Sequence, residues 1–368
     1  MDTSQFVYEK QWEILKRYLP DDLDASARAA GAMRRKRGQI NTGEQLLRLL
    51  LMHTAGGLSL EQTVARAQAQ GLPKINAMAL HKRLCSSHRW LSSLTSHLLE
   101  EIRPRLDGSG DCWNLNRKVR ILDATDVQEP GATGTDWRIH YSLRLPEMCC
   151  DFFELTDAHG GESLRRLPVN AGDLVLVDRG YNDRAAVGQI LDQGGDVVMR
   201  YHSRNFPLLT PHSQAFDPLK ELRKLKIGEV LEWPVRFVAN GKTREARLCA
   251  ICKSTEQAER TLRKIKLKTK GKFERVKPAT LEFAKYVVVV CTIPAGEMSA
   301  RLALEFYRAR WQVELAFKRL KSLLLLGQLP KRKEESSQAW MQGKILSALL
   351  IERTLCEERF FSPWGYRL

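Results

Sequence analysis

No stretch of this chain approaches the ~18 consecutive apolar residues of a membrane-spanning helix. The N-terminus, "MDTSQFVYEK", lacks the basic-then-apolar layout of a signal peptide. Together these absences argue for a cytoplasmic protein with no membrane partner. The eight cysteines are scattered over 368 residues. Without a secretion signal they read as reduced thiols rather than a disulfide framework. Cys249 and Cys252 form a single CxxC in the strand-like "ARLCAICK", and no second CxxC or Cys/His pair answers it. A zinc site is therefore not expected, and Cys149–Cys150 reads as strand packing. Internal repeats are absent too.

What is abundant is positive charge. Lys and Arg number 59 against 43 Asp and Glu, a formal charge of +16. The simplest partner for such a surface is a polyanion, nucleic acid before an anionic membrane. Apolar residues make up 43%, enough for a sizeable core. The length suggests two or three domains, or one core domain with additions.

Residues 1–105 read as helical. Thr42 with Gln45, and Ser59 with Gln62, have the spacing of capping boxes ahead of apolar runs. Short helices with Gly-containing turns fit a DNA-reading helix-turn-helix, or equally a plain bundle. Arg34, Arg35, Lys36 and Arg37 form a basic cluster within them, a DNA contact or a solvated linker.

From 106 to 202 the texture changes to strands: "KVRILDATDV", "DWRIHYSLRL", "CCDFFELT", "DLVLVD" and "DVVMRYH". The last two are separated by the helix-like "DRAAVGQILDQGG". Three strands followed by strand–helix–strand predict a mixed sheet with helices packed on it. Residues 203–285 interrupt that rhythm with a basic, strand-rich insertion containing an "NG" hairpin signal. Within it Lys264, Lys266, Lys268, Lys270 and Lys272 alternate along "KIKLKTKGK", a DNA-facing strand or a solvated loop. Residues 286–328 resume the core with "YVVVVCTIP" and a helix, and 329–368 carry one more amphipathic helix.

The helix "YRARWQVELAFKRLK" spaces Tyr307, Arg310, Glu314 and Lys321 so that they fall within an arc of roughly 60°. Leu302, Phe306, Val313, Phe317 and Leu320 form a separate apolar stripe for the core. Two apolar strands end in an acid, Asp123 and Asp178, at the sheet rim where ligands bind in such folds. Each alone is also a common turn residue. Gathered with Glu314, the three carboxylates would repel unless a cation neutralised them. All-oxygen donors favour Mg²⁺ or Mn²⁺ over zinc.

"ILDATD", "GTDWRIHYSL", "LVLVDRGY" and the Tyr-x2-Arg-x3-Glu-x6-Lys pattern at 307–321 resemble the DDE transposases of bacterial insertion sequences, of the insertion-sequence-four type. The resemblance spans roughly 118–325. It implies a ribonuclease-H-like α/β core interrupted by a β-rich insertion, preceded by a helical domain that binds DNA ends. It further implies catalytic and metal-binding roles for Asp123, Asp178 and Glu314, with two Mg²⁺ ions, or Mn²⁺ in their place. Asp126 rivals Asp123, but three steps along a regular strand reverse the face, so both cannot serve one site. The Asp-x-Thr pattern favours Asp123. Arg310 and Lys321 would contact DNA phosphates on either side of Glu314, and Tyr307 would add a phosphate hydrogen bond or simply pack. Arg179 would touch phosphate or close a turn, and Trp233 would stack an unpaired base or pack in the sheet. His140 reads as a structural hydrogen-bonder. The implied activity is two-metal cleavage and strand transfer at the terminal inverted repeats of an element and at target DNA, by a homodimer on the bacterial nucleoid. Such chemistry needs no covalent enzyme intermediate, so the lack of a Ser/His/Asp or Cys/His constellation is no obstacle.

Overall fold

The apolar runs form eight strands: β1 (Lys118–Val127), β2 (Trp137–Leu145), β3 (Cys149–Asp157), β4 (Asp173–Val177), β5 (Asp196–Arg200), β6 (Val230–Ala239), β7 (Lys242–Cys252) and β8 (Tyr286–Cys291). The structure, a computed structural model, describes residues 11–33, 39–107, 115–270, 276–327, 329–330 and 333–359. The cluster Arg34–Arg37 and Lys272 lie outside the described residues.

All eight strands join one sheet in the order β3-β2-β1-β4-β5-β8-β7-β6. β1, β2 and β3 form an antiparallel meander, while β4 and β5 run parallel to β1. That five-stranded arrangement, with helices on its faces, is the expected ribonuclease-H-like core. β8 then adds antiparallel to β5, and the β6–β7 hairpin adds to β8. The insertion is therefore not set apart from the sheet but extends it. Its turn is the "NG" pair, with Asn240 at φ 53° and Gly241 at φ 73°, the left-handed pair a two-residue hairpin needs.

One expectation fails here. The alternating lysines do not form a strand or loop: Lys264, Lys266, Lys268 and Lys270 lie in a helix, Thr255–Lys270. Ala258, Thr261, Leu262 and Ile265 are its half-buried positions among residues 255–267. Their spacing of three and four is helical and outweighs the period of two in the lysines.

Beyond a helical stretch at residues 11–16, twelve α-helices are numbered among the described residues. α1 (Leu23–Ala29), α2 (Gly43–Thr54), α3 (Leu60–Ala69), α4 (Ala77–Ser86) and α5 (His88–Asp107) precede the sheet. α6 (Arg184–Asp192), α7 (Pro218–Leu222), α8 (Thr255–Lys270) and α9 (Pro278–Phe283) lie between strands. α10 (Ala300–Ala309), α11 (Trp311–Leu323) and α12 (Glu334–Arg359) follow β8. Ser59 and Gln62 complete a reciprocal capping box at α3. At α2, Thr42 accepts from the Gln45 N–H, while the Gln45 side chain reaches the Asn41 N–H instead.

One face of the sheet, including Val119, Ile121, Leu174, Leu176 and Val198, shares a core with Phe306, Val313 and Phe317 and with the N-terminal helices. The other face, including Leu122, Val175, Val177 and Met199, packs on Val187 and Ile190 of α6. α12 packs most extensively against α5 and also meets α4 and α2. At the α2 crossing Gly343 is needed for close approach, because a Cβ there would stand 2.4 Å from Thr54 Oγ1. α12 also reaches the sheet, where Glu352 accepts from the Tyr141 hydroxyl and the Cys150 N–H, both at 3.2 Å. Burial pushes the Glu352 carboxyl up to about 7.

The first strands are locked by a buried ionic cluster. Arg120 on β1 contacts Asp151 of β3 at 2.6 Å and Asp173 of β4 at 3.0 Å, with all three side chains at most 6% exposed. It also donates to the Pro168 carbonyl. Removing the cation leaves two buried carboxylates uncompensated. Arg120→Leu should destabilise the fold by about 3–5 kcal/mol, read as a lower urea midpoint. A loss under about 1 kcal/mol would mean that the aspartates do not depend on this pairing.

Candidate active site

Parallel pairing of β1 with β4 sets Ile121 opposite Leu176. Carried two residues on, that register brings Asp123 and Asp178 to neighbouring positions. Asp178 caps the end of β4, as its strand-end pattern predicts. Asp123 does not end its strand: β1 continues to Val127, paired there with β2. What ends near Asp123 is the β1–β4 pairing, so the side chain still reaches the rim. Asp126 is exposed and tied to Arg138 at 3.1 Å.

The third acid arrives from the helices. The sequence predicts one helix through 307–321, whereas the structure divides it at Arg310 into α10 and α11. The backbone tightens there, with the Arg310 N–H bonded to Tyr307 O and the Val313 N–H to Arg310 O, each at 3.2 Å. The joint presents the Arg310 guanidinium to two acids. Nη1 donates to Asp123 Oδ2 at 3.0 Å and Nη2 to Glu314 Oε1 at 2.6 Å. Tyr307, one turn earlier, donates its hydroxyl to Asp178 Oδ1 at 2.8 Å.

Asp123, Asp178 and Glu314 thus line one open pocket of about 610 Å³, together with Arg310, Phe317, Lys318, Lys321 and Ser322. Burial pushes the Asp123 carboxyl up to about 6, against the pull of the Ala124 N–H and of Arg310. Burial also works to raise Asp178, but the Arg179 N–H, the Tyr307 hydroxyl and Arg310 together hold it below the usual range.

Of the other sequence candidates, Lys321 lines this pocket and is exposed. Arg179 instead lines an adjoining cavity of about 360 Å³, reached from Asp178 and shared with Arg200, His202 and Lys253. No ion pair closes its turn among the described residues. Trp233 sits on the edge strand β6 opposite Leu248, half-buried against the second core, and lines neither cavity. His140 is buried and bonded to Thr156, with its pKa lowered to about 4 by burial first and by Arg166 next.

Two nearby residues escaped the sequence reading. Glu162 approaches so closely that a Cβ on Gly180 would stand 2.2 Å from its Oε2. Burial first, then Asp126 and Asp178, raise its pKa against the pull of Arg138. No motif in "HGGES" marks it. Arg200 ends β5 where Val177 pairs with Met199, which sets it beside Asp178. Its guanidinium lies 5.9 Å from the Tyr307 ring centre. The strand-end argument applied to the acids would have found it had cations been included.

The donor set suits a hard divalent ion: three carboxylates from three elements. In this arrangement, however, no group of three His, Cys, Asp or Glu among the described residues stands close enough to hold a metal ion. The Arg310 fork lies between Asp123 and Glu314, bonded to both.

The family described as "Transposase DDE domain" matches residues 156–350, a span that takes in Asp178 and Glu314 and begins after Asp123. The transposase for insertion sequence element IS421 of Escherichia coli is 34% identical over 353 residues, covering 94% of this chain and 93% of that protein. The transposase for IS231F of Bacillus thuringiensis subsp. israelensis is 22% identical, covering 94% of this chain and 80% of its own. Among solved structures, a piggyBac transposase synaptic complex with hairpin DNA aligns with a TM-score of 0.41 and 8% identity, over 95% of this chain and 80% of that one. That overlap is too loose to bear on the assignment. With a family match over more than half its length and a relative 34% identical almost end to end, the chain belongs to the DDE transposases of insertion sequences.

Proposed function

We propose that this protein binds the ends of its insertion sequence and, with divalent ions, cuts them and joins them to target DNA. The observation that supports this best is the convergence of Asp123, Asp178 and Glu314 on a pocket that also holds Lys321. In this reading Asp123, Asp178 and Glu314 would hold the divalent ions, two Mg²⁺. Such ions activate the attacking oxygen and stabilise the leaving oxyanion of a phosphodiester.

The protein's own groups do the rest. Tyr307 holds Asp178 ionised and oriented. Lys321, solvated at the pocket mouth, supplies a point charge to a DNA phosphate. Arg310 offers the planar fork that suits phosphate bidentately, and its two carboxylates are freed when it turns to that phosphate. Water first breaks the phosphodiester and leaves a 3′-hydroxyl at the element end. That hydroxyl then attacks a target phosphodiester, expelling a new 3′-oxygen, so no enzyme side chain is consumed. A surface of net charge +16 draws the DNA. We further infer a homodimer, since two ends must be held together, acting in the bacterial cytoplasm. No helix among the described residues is long and apolar enough to cross a membrane.

Glu314→Gln should reduce end cleavage by about 10²-fold or more and leave DNA binding largely intact. Residual cutting with lost binding would overturn the assignment. Pre-cut 3′-hydroxyl ends with Mg²⁺ should yield joined product; hydrolysis without joining would mark a nuclease instead.

Arg310→Ala removes the internal counter-ion. Mn²⁺ affinity of the DNA-free protein, measured by calorimetry, should then tighten by about tenfold, ~1.4 kcal/mol. Unchanged or weaker affinity would show that Arg310 does not stand in the cation's place.

A further inference from the structure

The C-terminal end of α11 is closed by a residue that ordinarily avoids the conformation it takes. Leu323 is the last helical residue, Leu324 caps it, and Leu325 follows at φ 53°, in the left-handed region. The Leu326 N–H then turns back to Leu320 O at 3.2 Å. This closure normally uses glycine, and a leucine in it is strained. Leu325 is 60% exposed, so its own packing returns little.

The turn is held from outside. Lys344 of α12 is fully buried and donates its ammonium to the Leu324 carbonyl. The same Nζ lies 4.0 Å from the centre of the Trp340 ring. A buried ammonium is costly unless partnered. Here the negative end of α11 and an aromatic face offset that cost.

What the turn supports is the lysine at the pocket mouth. Gly327 lies under the Lys321 stem, so that a Cβ there would be 3.5 Å from Lys321 Cγ. Beside it, the Leu329 N–H bonds to Gln128 O at 3.0 Å, one residue beyond β1. The path therefore runs from Lys344 to Leu324, through the strained turn, to the stem of Lys321.

We propose that Lys344 is a positioning residue for Lys321: buried away from DNA, it fixes the turn that holds the phosphate-contacting lysine at the pocket. This rests on the reading that Lys321 contacts a DNA phosphate. The test is the salt dependence of binding to a random-sequence duplex of fixed length. Each phosphate contact contributes about one unit to the slope of log affinity against log salt.

Lys321→Ala should lower the slope by about one. Lys344→Met should lower it by a similar amount, although its side chain touches no DNA, and the double variant should lose no more than either. Lys344→Arg, which keeps charge and donor, should retain the wild-type slope. Leu325→Gly in the Lys344→Met background should restore it, because glycine takes the left-handed position without strain. If the methionine variant does not fold, Lys344→Gln gives the same reading.

A merely structural role would lower the active fraction and leave the slope alone; that result in Lys344→Met overturns the positioning role. An unchanged slope in Lys321→Ala would instead sink the phosphate contact itself, and the proposal with it.

Discussion

Carboxylates brought into one partly buried pocket repel one another, and the fold can gather them only by bringing positive charge along. In this structure that charge comes from a few neighbouring side chains. Arg310 bridges Asp123 and Glu314, and its guanidinium lies 5.9 Å from the Tyr307 ring centre. Arg200 stands at the same distance from that ring, and Tyr307 bonds to Asp178. Two cations, an aromatic ring and three acids thus form one cluster, with one acid in excess. The break between α10 and α11 falls at the residue that must face the acids, so the local backbone and the electrostatics of the site are a single problem.

The sheet supplies the frame for that cluster. β1 and β4 must run parallel and in register for Asp123 to reach Asp178, and Arg120 ties β1 to both β3 and β4 from within. The insertion shares the frame because β7 pairs with β8 and β8 with β5. Arg200 at the end of β5 and Lys253 just after β7 consequently meet in the cavity beside Asp178, though far apart in sequence. A hairpin on a flexible stalk would not hold them there.

Much of this is legible from local chemistry. An apolar run closed by an acid identifies Asp178, and the Tyr-Arg-Glu-Lys spacing identifies the helical side of the pocket. The Ser59–Gln62 box and the "NG" turn formed as their sequences require. The failures have physical reasons. Alternating lysines carry no information about period when solvated, and four half-buried positions decided the helix instead. Glu162 reaches the site through a loop, which has no period to read. The strain at Leu325 was hidden because nothing in "LLLLGQLP" says that the turn falls on a leucine two residues before the glycine. Lys344, a lone lysine in an apolar helix, reads as a polar interruption until its acceptor is known.

The four signature residues divide their work in a way that spacing alone does not convey. Tyr307 and Arg310 face inward and serve the acids, whereas Glu314 and Lys321 are the exposed pair. In the two-ion reading, four positive charges would enter a pocket holding three negative ones and an arginine already in place. The surplus is unfavourable until an anion joins it. In that reading a DNA phosphate would be that anion, and Arg310 is the group best shaped to receive it. Electroneutrality would then couple the two events: ions would bind best with DNA present, and the arginine between Asp123 and Glu314 would become a clamp on the substrate.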